Sequence, residues 1–202
     1  MFPLGTALLP HAPLALSVFE PRYQVLLHDV MRGDWEFGVV LIERGREVGG
    51  GDARFGVGTV ARIVRAVPLG GGRHALEAVG TRRLRVSRWL PDDPYPVAEI
   101  ETIEEPPPSE EARTVRGRVE QALRDVLELC ARVDPRFALR PPVLGDDPVR
   151  ASFEIAAAAP LGPLDLQRVL EARGVDERLA LLDGVLTDAA ALLRLRLGEP
   201  PR

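Results

Sequence analysis

The hydrophobic periodicity changes at EEPPPSEE, Glu104 to Glu111, and that break limits the folds open to the chain. Upstream, Val, Ile and Gly dominate in short alternating runs. Downstream, Leu, Ala and Arg recur at three- and four-residue spacing. A period of two places side chains on opposite faces of a strand, and a period near 3.6 lays one apolar stripe along a helix. Three consecutive prolines suit neither and fit an extended connector. The expectation is an α+β protein, β-rich over residues 1–106 and helical over 107–202. A length of 202 residues suits one large domain or two small ones, and a hydrophobic content of 46% is enough for a real core.

Within the first part, EFGVVLI (Glu36 to Ile42) has little alternation and predicts a strand buried on both faces. VGTVARIVRAV (Val57 to Val67) predicts a long strand, LGGGR (Leu69 to Arg73) a hairpin loop, and HALEAV (His74 to Val79) the return strand. RRLRVSRW (Arg82 to Trp89) alternates, with Leu84 and Val86 on one face and Arg83, Arg85 and Ser87 on the other. PVAEIETI (Pro96 to Ile103) alternates again. Strands this short and this frequent predict a small barrel or a strongly bent sheet. One helix interrupts them. Pro21 suits its first turn, Tyr23, Leu26, Leu27 and Val30 form its apolar stripe, and Gly33 stops it.

The second part predicts a helical bundle. Ser109 is placed to cap a helix ending near Val133, and Asp147-Pro148 to start a short one ending near Ala159. A third runs from about Leu164 to Arg173. Asp176 is placed to cap the last, through Leu179, Leu182, Leu186 and Leu193. Gly184 inside that helix costs roughly 1 kcal/mol against Ala, which suggests close packing there.

Composition removes several chemistries. All 26 basic residues are Arg. Without Lys there is no Ser-Lys dyad, Schiff base or P-loop lysine. The runs Gly49–Gly51 and Gly70–Gly72 precede Asp52 and Arg73, so they read as loops and turns. Ser17, Ser87, Ser109 and Ser152 lie outside any GxSxG setting. His11, His28 and His74 are scattered without metal-ligand spacing, and the single Cys130 falls beside an apolar stripe as a structural thiol. The reading is a chain that is not an enzyme, with no catalytic, cofactor-binding or metal-binding residues and no cofactor. A net charge of −4 argues against general attraction to nucleic acid or membrane. The apolar N-terminus lacks a basic n-region and is broken by Pro3, Pro10 and Pro13, and no apolar run approaches the ~20 residues of a membrane span. A cytoplasmic protein is expected.

Three ordered stretches resemble the N-terminal domain of the Lon family of ATP-dependent proteases. They are FPLGTALLPHAPLALSVFEPRY at the start, GVGTVARIVRAVPLGGGRHALEAVGTRRLRV from Gly56 to Val86, and PLDLQRVLEARGVDERLALLDGVL from Pro163 to Leu186. The resemblance implies a PUA-like β-barrel with one inserted helix, followed by a helical bundle, and a substrate-recognition role apart from the ATPase and the protease. Because the chain stops at Pro201-Arg202, it is expected to be a stand-alone member of that family.

Two uses of FEPRY, Phe19 to Tyr23, follow. In one, Phe19 and Tyr23 pack the helix on the barrel while Glu20 and Arg22 tie the preceding loop. In the other, Phe19, Tyr23 and the loop Pro10–Leu16 form an apolar groove for extended polypeptide. The candidate binding residues are Pro13, Phe19, Arg22, Tyr23, Trp35 and Trp89, the tryptophans as amphipathic anchors. The expected partners are unfolded or exposed protein segments, with delivery to a protease, and the chain is expected as a monomer or weak homodimer. The alternatives are an adaptor that binds a folded partner through Asp176–Leu197, and an RNA-binding PUA-like domain using Arg82, Arg83, Arg85 and Arg88. That last cluster also reads as a solvated strand face.

Overall fold

The computed structural model describes residues 1–45, 53–137 and 141–199. The Gly49–Gly51 run, residues 138–140 of the linker and Pro201-Arg202 lie outside them. The chain divides into two compact units, Met1–Glu104 and Glu105–Arg202.

The first unit carries β1 (Phe2–Leu4), β2 (Pro13–Val18), α1 (Pro21–Arg32), β3 (Glu36–Arg44), β4 (Ala53–Gly70), β5 (Arg73–Trp89) and β6 (Ala98–Thr102). They form one mixed sheet in the order β1-β3-β4-β5-β2, with β6 also paired to β5. β1 runs parallel to β3, and the other pairs are antiparallel. β3 is buried on both faces, as its unbroken apolar run predicts. Val39 joins a core with Phe2, Leu8, Tyr23, Leu27, Ile63 and Leu76, and Val40 joins a second with Val60 and Leu84. The runs HALEAV and RRLRVSRW are one continuous strand, β5.

Two glycines of the GVGTV and AVG stretches have a steric reason. A Cβ on Gly58 would strike the Val39 carbonyl oxygen, and one on Gly80 the Leu9 carbonyl oxygen. Only a residue without a side chain lets these backbones approach so closely.

The sheet differs from the expected barrel in one respect: it is not closed. Among the described residues no pairing joins β1 to β2. Both strands instead line one cleft together with Tyr23, so α1 completes this side of the core. The segment expected as a loop, Pro10–Leu16, also differs, because Pro13 onward is strand β2.

The second unit carries α2 (Ala112–Val133), α3 (Pro148–Ala158), α4 (Pro163–Glu171) and α5 (Val175–Arg196), with one 3-10 turn at Pro135–Phe137. Five α-helices are thus described in the whole chain. Asp147 caps α3 as expected, accepting hydrogen bonds from the Val149 and Arg150 backbone N–H groups. Ser109 and Asp176 do not act as caps. Ser109 Oγ donates to Asp176 Oδ1 at 2.6 Å, and the Ser109 N–H donates to Asp176 Oδ2 at 3.2 Å. Glu111 and Gly174 hold the N-cap positions instead. Gly184 is not a packing site, since a Cβ there would meet nothing within 4 Å.

The proline connector belongs to this unit. Arg178 is fully buried, with its guanidinium carbon 3.7 Å from the Phe153 ring centroid. Its Nη2 donates to Glu105 Oε2 at 2.9 Å, and its Nε to Ser152 Oγ at 2.7 Å. A Cβ on Gly174 would strike the ring of Pro106. Residues 105–109 are therefore strapped to the α4–α5 junction by an ion pair, a packing contact and the Ser109–Asp176 hydrogen bonds.

Candidate functional site

One concavity of the first unit lies between strands β1 and β2, which do not pair with each other among the described residues. Phe2 and Leu4 of β1 form one wall, Ala15 to Val18 of β2 the other, and Phe19, Glu20 and Tyr23 lead into α1. Its volume is about 180 Å³. Pockets that enclose small-molecule ligands usually span about 300–1,000 Å³. This cleft has room for one large apolar side chain rather than a cofactor.

The aromatic residues at its base are fixed. Phe2 stacks on Tyr23 with ring centroids 4.1 Å apart, and Phe37 tilts against Phe2 at 6.1 Å. Tyr23 is only 3% exposed, so it serves as floor rather than as an exposed contact residue. Phe19 is 54% exposed. It directly follows β2 and precedes the Pro21 start of α1, and the Gln24 side-chain amide donates to its carbonyl oxygen at 2.9 Å. A fixed backbone thus carries an exposed phenyl ring at the rim. Arg22 lies over the Tyr23 ring at 4.5 Å and donates to Glu20 at 3.1 Å. Cation and acid offset each other, so this pair adds no net charge to the rim.

The six sequence-predicted residues do not meet at one place. Phe19, Arg22 and Tyr23 gather at the cleft. Pro13 is exposed at the far end of β2, about 17 Å along the strand at ~3.4 Å per residue. Trp35 follows α1, whose 12 residues span roughly 18 Å, so it sits at the opposite end of that helix from Phe19. Its φ of 63° lies in the left-handed region that bulky residues disfavour, and it is 38% exposed. Trp89 packs against the Val40, Val60 and Leu84 core, with the Arg54 guanidinium 4.8 Å from its ring centroid. Sequence reasoning missed Phe2, Leu4, Ser17 and Val18. The alternation of Leu14, Leu16 and Val18 was the available signal for the strand.

The arginine cluster does not form a free basic strip. Arg83 is 2% exposed rather than on a solvated face. Arg82 donates to Glu36 at 2.7 Å, and Arg88 pairs with Glu99. Glu36 also accepts from Arg62 at 2.8 Å. Burial opposes ionisation of Glu36, but the hydrogen bonds and charges of Arg82 and Arg62 outweigh it and lower its pKa.

A second concavity, in the helical unit, is larger and apolar at about 490 Å³. Leu127, Cys130, Val133, Leu192 and Leu193 line it, and Leu192 and Leu195 stand exposed nearby. Burial raises the pKa of the Cys130 thiol, which suits a structural role. Among the described residues no group of three His, Cys, Asp or Glu side chains is placed to hold a metal ion, and no helix is long and apolar enough to cross a membrane.

The model of the ATP-dependent protease La (LON) substrate-binding domain family matches residues 1–188. The chain is 29% identical over 189 residues to Lon protease 2 of Myxococcus xanthus, covering 92% of this chain and 23% of that protein. It is 30% identical over 142 residues to the Lon protease of Escherichia coli K12, covering 70% of this chain and 18% of that protein. The chain thus spans a quarter or less of the length of these curated relatives. The crystal structure of a Lon N-terminal domain protein from Xanthomonas campestris superposes with a TM-score of 0.65 at 26% identity, covering 90% of this chain and 94% of that one. The N-terminal domain of a Mycobacterium avium complex Lon protease shares the fold, with a TM-score of 0.63 at 17% identity over 93% of this chain and 96% of that one.

Proposed function

The chain belongs to the family of ATP-dependent Lon protease substrate-binding domains, and on that premise we propose that it binds exposed apolar or unfolded polypeptide segments for delivery to a protease. The observation that carries this reading is the β1–β2 cleft. Its lining is mainly apolar, it is sized for a single side chain, and exposed Phe19 stands on its rim. A folded protein buries most of its large apolar side chains, whereas an unfolded one offers them. Selection by one apolar anchor therefore favours unfolded chains without demanding a particular sequence.

The test is fluorescence anisotropy with labelled lactalbumin, once reduced and carboxymethylated and once native. Saturable binding of the unfolded form, and weaker binding of the native form, is expected. Equal binding of both, or of neither, would overturn the reading.

The adaptor reading has one observation of its own. The groove between α2 and α5, with Leu192 and Leu195 exposed beside it, would suit docking of a folded partner. Under that reading, Leu192→Ser with Leu195→Ser abolishes partner association and leaves lactalbumin binding unchanged.

A further inference from the structure

Among the described residues, β2 pairs with β5 alone. The phase of its hydrogen bonding is set just before the strand begins. The Gly80 N–H donates to the Ala12 carbonyl at 3.0 Å, and the His11 N–H donates to the Gly80 carbonyl at 2.8 Å. Pro13 then lies opposite Val79, and the register continues without a shift to Val18 opposite His74. In an antiparallel pair, residues that exchange hydrogen bonds alternate with residues that do not. Leu14, Leu16 and Val18 therefore bond to β5. Ala15 and Ser17 turn their N–H and C=O groups away from it. Pro13, which has no N–H to offer, falls in the same outward set, as this phase requires.

Among the described residues, the backbones of Ala15 and Ser17 have no other hydrogen-bond partner. Sheet edges are commonly guarded by charged side chains, prolines or bulges. From Pro13 to Phe19 this edge holds no charge, and its proline stands only at the far end. The open edge also forms a wall of the cleft already described.

We infer that β2 takes up an extended polypeptide segment as an added strand, hydrogen-bonded to Ala15 and Ser17, with one apolar side chain of that segment in the Phe2–Leu4–Phe19–Tyr23 cleft. This rests on the polypeptide-binding reading and gives it a geometry. Backbone pairing supplies affinity that does not depend on sequence, and the cleft selects an apolar residue at one position. The acid and base at the rim, Glu20 and Arg22, are paired with each other, so the segment is chosen for apolarity and extension rather than for charge.

The decisive probe is a fluorescein-labelled ten-residue peptide of alternating Val and Ser, measured by anisotropy with the unsubstituted protein. Two further peptides carry N-methyl groups on one or the other alternate set of amides. Strand addition predicts at least a tenfold loss of affinity for one methylated peptide and little loss for the other. Ala15→Pro removes an outward N–H that β5 does not use. It is expected to weaken binding about tenfold and to leave the far-UV circular dichroism unchanged. Phe19→Ser weakens binding whether or not a strand is added. Equal affinity of all three peptides, with loss only in Phe19→Ser, would overturn strand addition and leave polypeptide binding standing. Failure of the parent peptide and of unfolded lactalbumin alike would overturn both.

Discussion

Arg178 stacks its guanidinium on the Phe153 ring at 3.7 Å and has no exposed surface, and its carboxylate partner Glu105 lies 73 residues earlier in the chain. A buried charge that loses its counter-ion costs far more than a buried pair replaced by an apolar group. Glu105→Ala is therefore expected to destabilise the helical unit by roughly 3 kcal/mol. Arg178→Met keeps an unbranched apolar chain beside Phe153 and leaves behind only Glu105, whose side chain is 25% exposed and can be solvated, so it should cost less. Urea denaturation of both variants followed by circular dichroism checks the order, and equal costs would refute it.

Glycine substitutions should divide by position. Gly58→Ala and Gly80→Ala push a methyl group into a backbone carbonyl and are expected to cost about 1–3 kcal/mol each. Gly184→Ala in α5 and Gly117→Ala in α2 meet open space and should each gain up to about 1 kcal/mol from helix propensity. Thermal midpoints of the four variants give the comparison.

Glu36 gives the sheet an acid-side dependence. Its folded pKa lies below the ordinary carboxylate value, so its contribution is fully present above the unfolded pKa of ~4.3. It is lost as pH falls through the folded value. Glu36→Gln should cost about 1 kcal/mol at pH 7, within the range of partly exposed ion pairs, and much less at pH 3. A cost that does not change between the two pH values, in urea titrations, would contradict the assignment.

Phe19 and Tyr23 should separate binding from folding. Phe19→Ser removes a largely exposed ring, so the thermal midpoint should hardly move while affinity for unfolded lactalbumin falls about tenfold, or ~1.4 kcal/mol. Tyr23→Ala removes a buried ring stacked on Phe2 and is expected to cost about 3–5 kcal/mol of stability.

Cys130 should react slowly. Burial holds its thiol above the usual pKa, leaving less thiolate at neutral pH. Iodoacetamide labelling of the folded protein is expected to lag that of the urea-unfolded protein, and equal rates would contradict the assignment.

The helices were legible because their signals are local. Pro21, Asp147-Pro148 and the three-four apolar repeats act within a few residues, and the structure places helices there. β1 and β2 were hidden because one is only three residues long and the other begins at a proline in a segment that looks like a loop. The roles of Ser109 and Asp176 were misread because each hydrogen-bonds to the other across 67 residues rather than to its own helix end. Arg83 reads as a surface residue by type, yet it is 2% exposed, and the local alternation carries no signal for that burial. At the candidate site, Phe19, Arg22 and Tyr23 were found together because they adjoin in sequence. Trp35 and Trp89 were named for their chemistry, which says nothing of where the fold puts them.

The strap formed by residues 105–109 decides where the molecule can be cut. The proline triplet looks like the natural place to sever the halves. A helical fragment begun at Pro107 would leave behind Glu105 and Pro106, stranding the interior cation of Arg178 and exposing the surface around Gly174. A fragment begun at Glu104 would carry both and keep its interior neutralised. A cut that preserves the helical unit therefore belongs upstream of Glu105, before the prolines rather than among them.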